Sequence, residues 1–216
     1  EREADLYSVP IIPEISPAMM DIYNSIFNSN HTDVVVKVGD SNSANRAYLT
    51  PISENNYTLS PYDMLAESVT HFAENMGVNE IAARVGLNGF SLFDTFWSPL
   101  DMCEADETPL TCEYRVSRPT IAVIMFGPND LRVLNSTEYE EQMQRIIEET
   151  LDAEVIPVLS TFSSDPEEDT WDQSLRFNLI LVDLAERFDI PLVNLWAAAQ
   201  ALPNAGMGGD NVHMTV

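Results

Sequence analysis

The stretch DVVVKVGDSN, residues 33–42, decides the fold class of this chain. Its first six residues are dominated by valine, and such β-branched runs are typical of a strand buried on both faces. Glycine and polar residues follow at once, so the strand is expected to end in a tight turn that carries Ser41. A strand buried on both faces indicates a parallel sheet covered by helices.

Four further segments have the composition of strands, and helices are predicted between them. The strands are predicted at residues 80–85, 120–126, 155–160 and 191–195, and the helices at 60–76, 135–151 and 175–188. This alternation implies right-handed crossovers and a mainly parallel, five-stranded sheet in an α/β fold. In such sheets, ligands bind at the carboxyl ends of the strands.

Length and composition are those of one globular domain. The chain has 216 residues, 45% of them apolar, which is enough for one sizeable core. Residues 1–30, with three prolines, are predicted to form an irregular arm leading into a short helix around residues 19–27. Residues 31–216 form the main domain. No apolar run approaches the roughly 20 residues that span a bilayer, and any signal peptide is expected to be already removed or not part of the chain.

The net charge of −25 is the most unusual bulk property. Lys37 is the only lysine, and the other nine cations are arginines. Such a surface repels phosphate backbones and anionic membranes, which argues against a nucleic-acid partner. It indicates a solvated acidic coat that keeps the protein soluble.

Cys103 and Cys112 are the only cysteines, and they flank a short acidic loop. Neither lies in a CxxC or Cys/His cluster, so zinc binding is not expected. The pair is predicted to form a disulfide, which implies a secreted or periplasmic protein. Two unpaired thiols in a cytosolic protein are the alternative.

The segment GDSN, residues 39–42, directly follows the first predicted strand. A serine at a strand-to-helix turn exposes its hydroxyl and places its own N–H near a helix N-terminus, where partial positive charge favours an oxyanion. Ser41 is therefore a candidate nucleophile. Taken alone, the segment is more typical of an ordinary turn with a serine cap.

Two later segments offer hydrogen-bond donors at strand ends. GLNG, residues 86–89, contains glycines that let a backbone N–H approach a substrate oxygen closely. In GPND, residues 127–130, the amide of Asn129 can donate to developing negative charge, a contribution of about 2.7–4 kcal/mol in a transition state. Plain turns are the alternative interpretation of both.

The fourth segment, DNVH at residues 210–213, lies near the end of the sequence. Residues three apart on one turn can meet, so the carboxylate of Asp210 can orient the imidazole of His213. The other ring nitrogen is then left to accept the proton of a serine. The remaining two histidines lie on the arm and on a predicted helix, and we interpret them as structural.

Together the four segments supply a nucleophile, a base, an orienting acid and three oxyanion donors, the full set for acyl transfer. In this order they resemble the SGNH (GDSL-type) hydrolases, a family of esterases and lipases. The resemblance covers residues 33–213 and implies a flavodoxin-like three-layer α/β/α sandwich whose catalytic domain is residues 31–216.

The resemblance also implies a role for each matching residue. It gives Ser41 as nucleophile and Asp210 and His213 as its triad partners. It gives Ser41, Gly89 and Asn129 as oxyanion donors, and Gly86 is the alternative position for the oxyanion glycine. The sequence departs from the name-giving motif at Asn42, where the motif has leucine. That position varies in the family, so the departure leaves Ser41 as the expected nucleophile.

The expected function is hydrolysis of short-chain esters, such as acetyl esters on carbohydrates, with no metal and no cofactor. Phe96 and Trp97 could stack on a sugar face, and core packing is the alternative for both. A lipase acting on longer acyl chains and a catalytically silent carbohydrate-binding domain remain as alternatives. The sequence gives no oligomeric state.

A metal-dependent phosphoesterase is a further enzymatic alternative. Its ligands would come from Asp40, Asn129, Asp130, Asp210 and His213. Such sites usually have more histidines at strand ends than this chain offers.

Overall fold

Four parallel strands form the centre of the molecule in the computed structural model, which describes residues 2–26, 30–76 and 81–215. They are β1 (His31–Gly39), β2 (Pro119–Met125), β3 (Ile156–Ser160) and β4 (Leu192–Val193). Their order in the sheet is β1-β2-β3-β4, and every neighbouring pair is parallel. The predicted α/β class and flavodoxin-like architecture are confirmed.

The predicted apolar runs account for the strands. The six residues from Val34 to Gly39 in β1 are all buried, as a strand covered by helices requires. Val36 pairs with Ala122 and Gly39 with Met125, so β1 and β2 end at the same edge of the sheet. This register brings the GDSN and GPND segments to one edge.

The predicted second strand, residues 80–85, is wrong. Within its described part, only Ala83 forms a bridge, to Gly39 of β1, supported by hydrogen bonds from Gly39 N–H to the Ala82 carbonyl and from Arg84 N–H to the Gly39 carbonyl. Alanine and arginine have weak strand preference, and two bonds do not extend into a ladder. The segment still runs beside β1, where the prediction put a strand.

Nine helices surround the sheet in the described residues. They are α1 (Arg2–Ser8), α2 (Pro17–Ile26), α3 (Ser41–Ala44), α4 (Thr50–Ser53), α5 (Ala66–Phe72), α6 (Pro109–Ser117), α7 (Ser136–Asp152), α8 (Trp171–Phe188) and α9 (Leu195–Ala199). Short 3-10 turns lie at Asp63–Leu65, Ala73–Asn75, Ser91–Phe93, Thr95–Trp97 and Pro203–Gly206. Among the residues described, no helix combines the length and the apolar character needed to cross a membrane.

The predicted long helix over residues 60–76 is only partly present. Its α-helical part is α5, flanked by two 3-10 turns. The apolar residues of this segment recur at helical spacing, which predicts one buried face, but Met64 and Leu65 are exposed. Tyr62, which precedes the first turn, and Leu65, which precedes α5, provide no side-chain cap. By contrast, α7 begins at the expected place because Asn135 forms a reciprocal capping box with Glu138.

The N-terminal residues contact the domain through a small satellite cluster. Leu6 of α1 is fully buried against Leu175 and Trp196. The side-chain amide of Asn194 donates to the carbonyls of Leu6 and Val9. The helix expected around residues 19–27 corresponds to α2, and position 27 lies outside the described residues.

The predicted disulfide between Cys103 and Cys112 is confirmed, with Cα atoms 5.5 Å apart. Both cysteines are buried and pack with Ile81, beside the segment that precedes the GLNG loop. The disulfide therefore fastens the long connection between β1 and β2.

Replacing both cysteines by serine is expected to lower the free energy of unfolding by about 2.7 kcal/mol, since a loop of about ten residues is no longer closed in the unfolded chain. Urea unfolding measures this loss. Dithiothreitol should destabilise the unaltered protein by a similar amount and leave the double variant unchanged. Equal stability of the two proteins without reductant would contradict the prediction.

Candidate active site

Ser41 is the first residue of α3, directly after β1. The carboxylate of Asp40 accepts the backbone N–H of Asn42 at 2.8 Å and so caps this turn. Gly39 is required at the end of β1, because a Cβ there would lie 2.4 Å from the Met125 carbonyl oxygen. The helix has only four residues and therefore a weak dipole. Stabilisation of negative charge at this turn would come mainly from the orientation of the Ser41 N–H.

The side chains of Ser41, His213 and Asp210 form a continuous hydrogen-bonded line. The Nε2 atom of His213 lies 2.8 Å from Ser41 Oγ, and its Nδ1 atom lies 2.6 Å from Asp210 Oδ2. With Nδ1 protonated toward the carboxylate, Nε2 is the acceptor for the serine hydroxyl. These three residues, predicted from two segments far apart in the chain, are thus brought together in the order that proton transfer from serine requires.

The loop that carries His213 is closed on itself by backbone hydrogen bonds. Gly208 N–H donates to the His213 carbonyl at 2.7 Å, and Thr215 N–H donates to the Gly206 carbonyl at 2.8 Å. Asp210 Oδ1 also accepts the N–H of His213 at 2.9 Å. Asp210 therefore fixes both the backbone and the ring of the histidine.

Asn129 follows β2 in a turn that only glycine can begin. At Gly127, φ is +152° and a Cβ would lie 2.1 Å from the ring of Phe162. The turn places the Asn129 Nδ2 atom 2.8 Å from the carbonyl oxygen of Leu87. This bond uses one of the two amide hydrogens of Asn129, and it ties the GPND turn to the GLNG loop.

Gly89, the predicted oxyanion glycine, is buried, and its N–H donates to Asp130 Oδ1 at 2.9 Å. The competing glycine, Gly86, is exposed, has φ of +90° and lies against the Trp97 ring. In the described structure, Gly89 and Asn129 therefore contact each other's loops. The Gly89 N–H is engaged by a carboxylate that the sequence analysis did not consider as its partner.

Two carboxyl groups, Asp40 and Asp130, are fully buried next to this site. Burial raises the pKa of Asp40 to about 6, against an opposing effect of nearby hydrogen bonds and His213. Burial also raises the pKa of Asp130 to about 7, and the charge of Asp40 adds to that increase. Hydrogen bonds from His213 instead hold the pKa of the exposed Asp210 well below its usual range, so this carboxyl group is ionised near neutral pH.

The buried Asp130 gives a pH-dependent stability whose sign can be tested. Because folding raises the pKa of Asp130, its contribution to the free energy of unfolding is fully present below about pH 4. That contribution is lost as the pH rises through about 7. At about 1.4 kcal/mol per pKa unit, the loss is on the order of 4 kcal/mol. The stability of Asp130→Asn relative to the unaltered protein is therefore expected to increase from pH 4 to pH 8, measured by urea unfolding.

The control for this measurement is Asp5→Asn, at an exposed position of α1. This variant should follow the pH dependence of the unaltered protein. A constant difference in stability between Asp130→Asn and the unaltered protein across this range would contradict the assigned pKa shift.

A small polar cavity of about 150 Å³ lies beside Asp210. Its lining includes Asp210, the carboxyl side chains of Asp165 and Glu168, and Arg132. Arg132 forms an ion pair with Glu168 at 3.0 Å. A cavity of this size and polarity can hold a small polar group.

Phe96 and Trp97 differ sharply in exposure. Trp97 is half-buried and packs against the main core, which matches the alternative interpretation. Phe96 is 84% exposed and meets the Trp97 ring edge-on at 6.2 Å. Phe96 alone of the two presents a free aromatic face.

The ligand set of the phosphoesterase alternative is not assembled. In the part of the chain that the structure describes, the one group of three His, Cys, Asp or Glu ligand atoms within 4.8 Å of one another is Cys103, Glu107 and Cys112. Its two cysteines are joined in the disulfide. His213 instead contacts Ser41 and Asp210 through its two nitrogens.

Sequence reasoning missed the contacts of two residues beside the predicted ones. The side chain of Asn42 binds the loop that carries His213, and Asp130 binds the Gly89 N–H. The cap formed by Asp40 had a sequence signal, an aspartate directly before the start of a helix. The other contacts join segments far apart in the chain and had none.

The family model of the GDSL-like lipase/acylhydrolase family matches residues 38–216. Solved structures with the same fold include the psychrotrophic esterase EstA from Pseudoalteromonas sp., in a form inhibited by monoethylphosphonate, with 17% identity, a TM-score of 0.54, and coverage of 85% of this chain and 88% of that one. No curated protein matches the chain.

Two further solved structures are similar. A lipase/acylhydrolase from Enterococcus faecalis has 17% identity and a TM-score of 0.53, with coverage of 85% of this chain and 88% of that one. A GDSL-like lipase from Bacteroides thetaiotaomicron has 14% identity and a TM-score of 0.52, with 89% of each chain covered. At these identities the similarity supports the fold.

Proposed function

The chain belongs to the GDSL-like lipase/acylhydrolase family and is a carboxylic ester hydrolase, and from this premise we propose that Ser41 is its nucleophile. The observation that carries the proposal is the line from Ser41 Oγ through both nitrogens of His213 to Asp210 Oδ2, with distances of 2.8 and 2.6 Å. These distances lie in the range expected for an activated serine and its base.

In the proposed reaction, Ser41 Oγ attacks the carbonyl carbon of the ester while its proton moves to His213 Nε2. The tetrahedral intermediate collapses, the bond to the alcohol oxygen breaks, and that oxygen takes the proton from Nε2. Water then attacks the acyl-enzyme with the same proton transfers, and it releases the carboxylic acid and the free serine. Asp210 stays ionised throughout and stabilises the imidazolium.

The proposed oxyanion donors are the backbone N–H groups of Ser41 and Gly89 and the Nδ2 group of Asn129. Asn129 keeps one amide hydrogen in addition to the one it gives to Leu87. The Gly89 N–H is bound by Asp130, so its use requires that the developing oxyanion compete with that carboxylate. We therefore propose that the Ser41 N–H and the second amide hydrogen of Asn129 are the donors available before substrate binds.

The proposed substrates are short-chain esters, in particular acetyl esters on carbohydrates. The polar cavity of about 150 Å³ beside Asp210 supports a small acyl or alcohol group, and the exposed Phe96 supports stacking on a sugar face. The disulfide supports a secreted or periplasmic protein. We take residues 31–216 as the catalytic domain and residues 1–30 as an N-terminal arm.

A lipase-like preference for longer acyl chains is the second candidate. It is supported by a mainly apolar cavity of about 180 Å³ beside α3, lined by Tyr48, Met125, Leu195 and Met214. The two candidates place the substrate in different cavities, one lined by Asp210 and the other by residues around α3.

The acyl-length preference separates the candidates. With p-nitrophenyl esters from acetyl to palmitoyl, kcat/KM is expected to be highest for acetyl and to fall with chain length. With acetylated xylan, Phe96→Ala should raise KM about fivefold, by loss of one aromatic contact of about 1 kcal/mol, and should leave p-nitrophenyl acetate unaffected. Tyr7→Ala on α1 is the matched control. Preference for palmitoyl esters would favour the second candidate.

A further inference from the structure

Asn42, the residue after the proposed nucleophile, binds the main chain on both sides of His213. Its Nδ2 group donates to the Val212 carbonyl at 3.1 Å, and its Oδ1 atom accepts the Met214 N–H at 3.1 Å. We propose that Asn42 is a positioning residue that holds the imidazole of His213 in line with Ser41. This inference rests on the proposed function, because it concerns the base of that reaction.

The carboxamide of Asn42 is chemically matched to this task. One donor and one acceptor in a fixed plane are what a peptide group offers, so the side chain pairs with the loop as a neighbouring strand would. Asn42 is 8% exposed, so water competes little for either bond. A leucine, which the name-giving motif carries at this position, makes neither bond.

The base itself is not held by burial. The side chains of His213 and Asp210 are 44% and 56% exposed. The backbone bonds of the loop, from Gly208 to His213 and from Thr215 to Gly206, fix its shape but do not join it to α3. In the described parts of the chain, the hydrogen bonds between α3 and this loop are those of Ser41 and Asn42.

The same residue is also fixed to the nucleophile. The backbone N–H of Asn42 donates to Asp40 Oδ1 at 2.8 Å in the cap of α3. Its backbone is therefore set by the turn that presents Ser41, and its side chain is set by the loop that presents His213. Nucleophile and base are joined through one residue as well as through their own hydrogen bond, which keeps Nε2 within reach of the hydroxyl when substrate enters.

The test replaces Asn42 by leucine and measures hydrolysis of p-nitrophenyl acetate. A misplacement of about 1 Å is enough to cost roughly 100-fold in rate, so kcat should fall about 100-fold while KM for this small ester changes less than about twofold, since both bonds that are lost go to the His213 loop. The matched control is Asn30→Leu before the start of β1, where an asparagine side chain likewise donates to a distant main-chain carbonyl, that of Glu154. It should leave both constants within about twofold.

A second measurement separates positioning from a general structural effect. If Asn42 acts through His213, adding Asn42→Leu to a His213→Ala variant should not lower the residual rate further. If Asn42→Leu is recovered unfolded by circular dichroism, Asn42→Ala removes the same two bonds without added volume and serves in its place. Either variant must be folded for its rate to be compared.

Two outcomes would overturn the inference. One is a folded Asn42→Leu or Asn42→Ala enzyme with kcat within about twofold of the unaltered protein. The other is a full additional loss of about 100-fold on the His213→Ala background. Retained activity in Ser41→Ala would instead overturn the proposed function, so the two failures are distinguishable.

Discussion

Ser41→Ala is expected to lower kcat for p-nitrophenyl acetate about 10⁶-fold, on the order of 8 kcal/mol in transition-state free energy. The reason is that the acyl-enzyme cannot form without the Oγ atom, which lies 2.8 Å from its base. Ser41 is half-buried at the start of α3, so the loss of one hydroxyl should change the free energy of unfolding little.

The matched control for this variant is Ser43→Ala in the same helix. Ser43 is fully buried, and its hydroxyl has no hydrogen-bond partner in the described structure. Its removal should leave kcat within about twofold. A Ser41→Ala enzyme that keeps more than a few per cent of the activity would contradict the assignment of the nucleophile.

His213→Ala is expected to produce a loss of similar size, about 10⁶-fold in kcat. Without Nε2 there is no acceptor for the Ser41 proton, and the orienting carboxylate of Asp210 has no ring to hold. Because the residues act as one unit, the double variant Ser41→Ala/His213→Ala should be no slower than either single variant. Multiplicative losses in the double variant would show that the two residues act independently.

A second exposed histidine, His71, provides a control for the assignment of the base. His71 is an exposed residue of α5 whose Nε2 lies 2.9 Å from the Thr32 carbonyl oxygen, away from Ser41. His71→Ala should retain full activity. Loss of activity there, with activity retained in His213→Ala, would contradict the triad.

The strands were predictable where β-branched residues form continuous runs. Residues 33–38 and 120–126 correspond to β1 and β2, because a strand covered on both faces tolerates few polar residues. The strand predicted at 80–85 is absent for the opposite reason. Its alanines and arginine give the segment little preference for strand, and it forms only two backbone hydrogen bonds with β1 in its described part. The apolar spacing at residues 64 and 65 likewise predicted a buried helix face where the side chains are exposed.

The candidate site was predictable as a set of residues but not as a set of contacts. Strand ends of a parallel sheet meet at one edge, so the motif order indicated that Ser41, Asn129 and His213 lie together. Which donor bonds to which acceptor depends on how side chains are placed against segments more than 40 residues away in the chain. The bonds of Asn42 to the His213 loop and of Asp130 to Gly89 are of this kind.

Labelling with a fluorophosphonate probe tests the central claim most directly, because the probe reacts with an activated serine and not with an ordinary hydroxyl. We predict one adduct per chain, located by mass spectrometry on Ser41 and absent in Ser41→Ala and His213→Ala. No adduct on the folded protein, or an adduct on another serine, would contradict the account.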